Sequence, residues 1–111
     1  MQMLDFNAIQ QPTWPLKLKD GTVVTLSVPT VDLLERLMAA SGELGDIAKS
    51  KDGKAIRETY ELIADLMNCN DDGFTFTAEE LRGKYKMTLL DVFRFSAGYM
   101  EFISEIQNAK N

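Results

Sequence analysis

The sequence predicts an α+β fold, mainly α, in which an N-terminal β-hairpin precedes three longer helices and one short one. Three observations predict it. Apolar residues alternate with polar ones on both sides of an Asp20–Gly21 turn signal. Three later stretches carry apolar residues at i, i+3, i+4 spacing, and Thr77-Ala78-Glu79-Glu80 reads as a capping box that opens a further short helix. At 111 residues, with 45% hydrophobic and 26% charged residues, the chain suits one domain, 1–111, whose core needs no disulfide or metal staple.

Residues 1–12 read as an irregular arm in which Leu4, Phe6 and Ile9 are apolar. The hairpin follows over 13–28, and its register can be argued. A two-residue Asp20–Gly21 loop pairs Leu18 with Val23 and Leu16 with Thr25, leaving Val24, Leu26 and Val28 on the opposite face. A three-residue Lys19–Gly21 loop pairs Leu16 with Val24 and Trp14 with Leu26 instead. Trp14, Leu16, Leu18, Val24, Leu26 and Val28 then share one face, while Lys17, Lys19, Thr25 and Ser27 share the other. A slip of one residue turns every side chain over, so the three-residue loop is expected, with Gly21 in the left-handed position of a type I turn plus bulge.

The helical part occupies 30–109. Pro29 ends the second strand, and Thr30 is an N-cap for a helix expected over 31–50, with Leu34, Leu37, Met38, Ser41, Leu44 and Ala48 in one stripe. Gly42 and Gly45 weaken its middle, which predicts a kink or an early end near Gly45. A second helix is expected over 54–68, with Ile56, Tyr60, Ile63 and Met67 on one face and Leu62 and Leu66 beside it. The capping box starts a short helix reaching Tyr85, and Thr88 caps a last helix over 89–108.

Composition closes off several functions. There is no histidine and a single cysteine, Cys69, so nucleophile–base dyads and zinc sites of the usual kinds are excluded. No catalytic residue and no cofactor site is expected. A net charge of −5 with scattered basic residues argues against nucleic acid as a partner. No run of about 18 apolar residues predicts a membrane span. The first residues lack a signal peptide's pattern, and a lone cysteine suits a reducing compartment, so a cytoplasmic protein is expected.

Asn68 to Glu79 has the spacing of a calcium-binding loop: Asn68, Asn70, Asp72, Phe74 and Glu79 fall at positions 1, 3, 5, 7 and 12, with Gly73 at position 6. Only Asp72 and Glu79 bring charge among the side-chain positions, and no second such loop exists to pair with it. The same residues serve a helix junction, since Asn70 to Gly73 are turn formers and Phe74 and Phe76 can pin the crossing. A structural role is expected.

The last helix is apolar on most of its circumference. Leu89, Val92, Phe93, Ala97, Met100 and Ile103 form one stripe and Phe95, Tyr99, Phe102 and Ile106 a second, separated by a strip of Asp91, Arg94, Gly98, Glu101 and Glu105. Such a helix is normally the core helix. Covering it completely with two other substantial helices and one hairpin is difficult. Part of the Phe95–Tyr99–Phe102–Ile106 face is therefore expected to meet another chain, with Leu4, Phe6 and Ile9 of the arm as a second partner-binding element.

An LDF-containing arm, a PLKLKDGTVVTLSVPT hairpin, FTAEELRGKY and the terminal aromatic helix FRFSAGYMEFISEI follow one another along the chain. In these, over nearly its whole length, the sequence resembles the tail assembly chaperones of long-tailed bacteriophages and prophages, particularly those of Gram-positive hosts. The resemblance implies a non-enzymatic protein that coats the tape measure protein, keeps it soluble, helps recruit tail tube protein around it, and is absent from the finished virion. It also implies self-association into a homo-oligomer, and a longer form made by a −1 ribosomal frameshift. Ala109-Lys110-Asn111 could be encoded by a slippery A AAA AAY heptamer in the correct frame, which the gene's codons would reveal.

Overall fold

The computed structural model describes Met3 and residues 12–41 and 53–108. These form a two-stranded antiparallel sheet, β1 (Trp14–Lys17) and β2 (Val23–Leu26), and four helices among the described residues: α1 (Val31–Ser41), α2 (Gly53–Met67), α3 (Ala78–Gly83) and α4 (Leu89–Asn108). The architecture is α+β, mainly α.

The hairpin has the register that the apolar pattern demands, with Trp14 opposite Leu26 and Leu16 opposite Val24. The Leu18 N–H donates to the Thr22 carbonyl at 2.8 Å, closing a three-residue loop, and Gly21 has φ +94°. Asp20 Oδ1 accepts from the Thr22 N–H at 2.9 Å, and that bond holds the Asp20 carboxyl below its usual range. One face of the sheet is consequently apolar throughout. Leu18, Val24 and Leu26 are buried, and Trp14 and Leu16 pack against the same core.

Three of the described helices, α1, α3 and α4, begin at a capping threonine. Thr30 Oγ1 accepts from the Leu33 N–H, and Thr77 Oγ1 accepts from the Glu80 N–H at 3.1 Å. At α4, Thr88 Oγ1 accepts from the Asp91 N–H while Asp91 Oδ2 accepts from the Thr88 N–H at 2.8 Å, a reciprocal box that satisfies two otherwise unpaired donors. The expected bounds of α2 and α4 match to within one residue. In α1 the core-facing residues are Leu33, Leu34, Leu37 and Ala40, whereas Met38 is 59% exposed rather than part of the buried stripe. Leu44, Ala48 and the expected break near Gly45 lie outside the described residues.

α3 ends in a tight reversal. The Met87 N–H donates to the Leu81 carbonyl at 2.8 Å, and Lys86 adopts φ 53°, the left-handed conformation that lets a helix terminate this way. Tyr60 of α2 fastens the reversal, its hydroxyl donating to the Met87 carbonyl at 2.7 Å. Burial pushes the Tyr60 phenol above its usual range, so it remains a donor at all ordinary pH.

One contact sets how the hairpin meets α4. The indole of Trp14 lies against Phe95, Tyr99 and Phe102, with ring centroids 5.6, 5.9 and 6.2 Å away. It reaches them because Gly98 offers no side chain: a Cβ there would stand 2.8 Å from the indole. Gly98→Ala gains the helix preference of alanine, up to about 1 kcal/mol, but overpacks a rigid ring system at a cost of about 1–3 kcal/mol. A net loss of about 1–2 kcal/mol is expected in urea denaturation followed by Trp14 fluorescence. A more stable variant would show that the indole can move aside without cost.

Candidate functional site

The expected contact face of α4 lies mostly inside the protein. Phe95, Tyr99 and Phe102 are 5%, 0% and 2% exposed, and Ile106 packs half-buried against the core. Trp14 supplies the cover that two helices alone could not. As folded, these rings are not an open surface, and a charge placed at Tyr99 or Phe102 reports on folding rather than on a partner. Leu4, Phe6 and Ile9 of the arm lie outside the described residues. Within the cluster, the Tyr99 hydroxyl and Ser96 Oγ are buried without a hydrogen-bond partner, and burial pushes the Tyr99 phenol far upward.

The Asn68–Glu79 loop spends its oxygens on the chain itself. Asn70 Oδ1 accepts from the N–H groups of Asp72 and Phe74, while Asn70 Nδ2 donates to the Met67 and Phe74 carbonyls. Asn68 brackets Phe76, accepting from its N–H at 2.6 Å and donating to its carbonyl at 3.1 Å. Asp72 Oδ2 accepts from the Thr25 N–H at 2.6 Å. A cation would have to break this set, and among the described residues no three His, Cys, Asp or Glu side chains gather where they could hold a metal ion. Phe76 is the buried anchor of the crossing; Phe74, expected to pin it as well, is 40% exposed.

The loop also closes one edge of the sheet. The Ser27 N–H donates to the Cys69 carbonyl and the Asp71 N–H to the Thr25 carbonyl, and Asn70 forms an isolated antiparallel bridge with Leu26 beside β2. Among the described residues, no segment covers the opposite edge, along β1. Because Trp14, Leu16 and Leu18 turn their backbone groups toward β2, Pro15 and Lys17 turn theirs outward, and Pro15 has no N–H to offer.

Beside that edge lies a groove of about 250 Å³ between β1, the α3–α4 connection and the first turns of α4. Its floor is apolar: Trp14, Leu16, Leu18, Tyr85, Met87 and Phe95. Its rim carries Lys17, Lys19 and Arg94 against a single carboxylate, Asp91. Lys19 Nζ sits 2.6 Å from Asp91 Oδ2 and also donates to the Lys86 carbonyl at 2.9 Å, tying the hairpin to the start of α4. Lys17 and Arg94 have no ion-pair partner among the described residues.

The groove is not apparent from sequence, because each of its residues has an ordinary explanation alone. Lys17 is a strand's outward residue and Arg94 belongs to a helix's polar strip; only the docking of Trp14 on Gly98 brings them to one rim. No helix among the described residues is long and apolar enough to cross a membrane. No protein-family model, curated protein or solved structure matches the chain.

Three outcomes follow from this geometry. Millimolar calcium is expected to leave the thermal midpoint unchanged, whereas Asn70→Ala, which strips four bonds from the junction, costs about 1–3 kcal/mol. A calcium-dependent rise in midpoint would restore the metal reading. Tyr99→Phe removes a buried hydroxyl that has no partner and leaves stability equal or raised; a clear loss would mean that the hydroxyl is satisfied in solution. The third outcome concerns acid. The Lys19 ammonium, with the Thr88 N–H, lowers the Asp91 carboxyl from 3.8 to about 2. A carboxylate depressed in the folded state stabilises it above the unfolded pKa, and that contribution fades as pH falls through the folded one. Asp91→Asn therefore flattens the loss of stability between about pH 4 and pH 2, measured by urea midpoints across that window.

Proposed function

We propose that the chain is a non-enzymatic tail assembly chaperone of a bacteriophage or prophage, working in the host cytoplasm and absent from the finished virion. It binds the tape measure protein, keeps it soluble and aids tail tube assembly. The observation that carries this reading is the sequence resemblance, which runs from the LDF arm through the hairpin to the aromatic terminal helix. Support of a weaker kind comes from chemistry. Among the described residues, the titratable side chains with pronounced shifts are an ion-paired carboxylate, Asp91, and a buried phenol, Tyr99, each with a structural cause. The apolar groove beside β1 has a cationic rim, an arrangement suited to holding a polypeptide.

Co-expression tests the reading directly. A tape measure protein encoded beside this gene should remain in the soluble fraction when made with this chain, co-purify with it, and precipitate when made alone. A tape measure protein equally soluble without the chain, or a gene far from any tail genes, would overturn the assignment.

A further inference from the structure

We propose that the groove between β1 and the start of α4 is the docking site for an amphipathic helix with acidic flanks, contributed by a partner protein. The proposal deepens the chaperone reading and rests on it only for the source of that helix; the recognition chemistry comes from the groove itself.

The volume limits the occupant first. At about 250 Å³ the groove falls below the range of about 300–1,000 Å³ usual for whole small ligands, and it accepts a few apolar side chains from a larger body. The backbone limits it next. Strand addition along β1 needs alternating outward donors and acceptors, and Pro15 has removed a donor from the middle of that edge. Side chains must therefore carry the recognition, and a helix delivers apolar side chains in a row at i, i+4 spacing.

Charge then chooses among helices. The chain has a net charge of −5, yet this rim sets three cations against one carboxylate, and that carboxylate is already engaged by Lys19. Lys17 on β1 and Arg94 on α4 remain with no ion-pair partner among the described residues. Acidic residues flanking an apolar row would meet both. Basic flanks would face like charge, which works against binding and slows encounter.

Trp14, the only tryptophan, lines the groove and reports on its occupancy. The full chain is titrated with a synthetic helical peptide of about 18 residues, long enough to hold helix in water, bearing leucines at i, i+4 flanked by glutamates. A counterpart carries lysines in place of the glutamates. The glutamate peptide should shift Trp14 emission saturably and bind at least about tenfold more tightly than the lysine peptide, with the gap shrinking as salt is raised. Lys17→Glu with Arg94→Glu should reverse the preference, and a thermal melt checks that this exposed pair leaves the fold intact. If it does not, Lys17→Gln with Arg94→Gln should abolish the preference instead.

Several results would overturn the proposal: no shift with either peptide, equal binding of both, or a preference that survives the rim substitutions. It also falls if emission without peptide depends on protein concentration alongside dimer formation, since a second copy then fills the groove. Deletion of residues 1–11 that shifts emission, in a full chain blind to both peptides, would make the chain's own arm the occupant. Peptide binding with failed co-expression upholds the groove and removes the chaperone reading. Co-expression that succeeds without peptide binding places the client elsewhere.

Discussion

The contact of Trp14 with Gly98 decides how this small fold closes. α4 presents aromatic rings on a face that α1 and α2 do not cover alone, and an uncovered face of that size would promote association. The hairpin covers it with one indole, which makes ring contacts with Phe95, Tyr99 and Phe102 at once. Each such pair adds about 0.5–1.5 kcal/mol beyond the area buried. The arrangement works only where the helix backbone can be approached, and Gly98, with a prospective Cβ 2.8 Å from the ring, is where it can. A glycine costs an isolated helix about 1 kcal/mol, so its place in mid-helix is offset by packing.

That contact in turn depends on the hairpin register. With a two-residue loop, the apolar residues of β1 and β2 would face opposite ways, and Trp14 could not lie over α4 while Val24 and Leu26 stayed in the core. The three-residue loop, with Gly21 at φ +94°, makes both conditions compatible. The Lys19–Asp91 pair and the Lys19 bond to the Lys86 carbonyl then hold the loop end of the hairpin against the other end of the interface. Exposed ion pairs contribute little to stability on their own. Here the lysine's value is positional, since it fixes where the hairpin tip sits relative to α4.

The parts of the fold that rest on local rules are legible in the sequence. Register follows from period-two patterning, helix starts from Thr30, Thr77 and Thr88, and the limits of α4 from its cap and its stripe. The missing information is relational. Along the helix Gly98 is one member of a polar strip, although its role is to admit the indole of Trp14 from the far end of the chain, a pairing no local pattern encodes. The same omission makes the Phe95–Tyr99–Phe102 face look surplus. The calcium-like spacing of Asn68 to Glu79 is legible too, but spacing does not reveal where carbonyls and N–H groups point. Those directions turn Asn68, Asn70 and Asp72 inward to the backbone.

The two edges of the hairpin carry the last step. A two-stranded sheet has two rows of unpaired backbone groups, and both invite association. The β2 edge is closed by the 69–72 segment, whose Asp71 N–H and Asp72 carboxylate answer the Thr25 carbonyl and N–H in turn. The β1 edge is left without a covering segment among the described residues, but Pro15 and the Lys17 side chain make it a poor template for another strand. An edge protected in this way against strand pairing, yet adjoining an apolar groove, separates two kinds of contact. It discourages backbone-driven aggregation and leaves room for a partner recognised by its side chains. On the proposed chaperone reading, that separation is what would let the chain hold an aggregation-prone client without joining its aggregate.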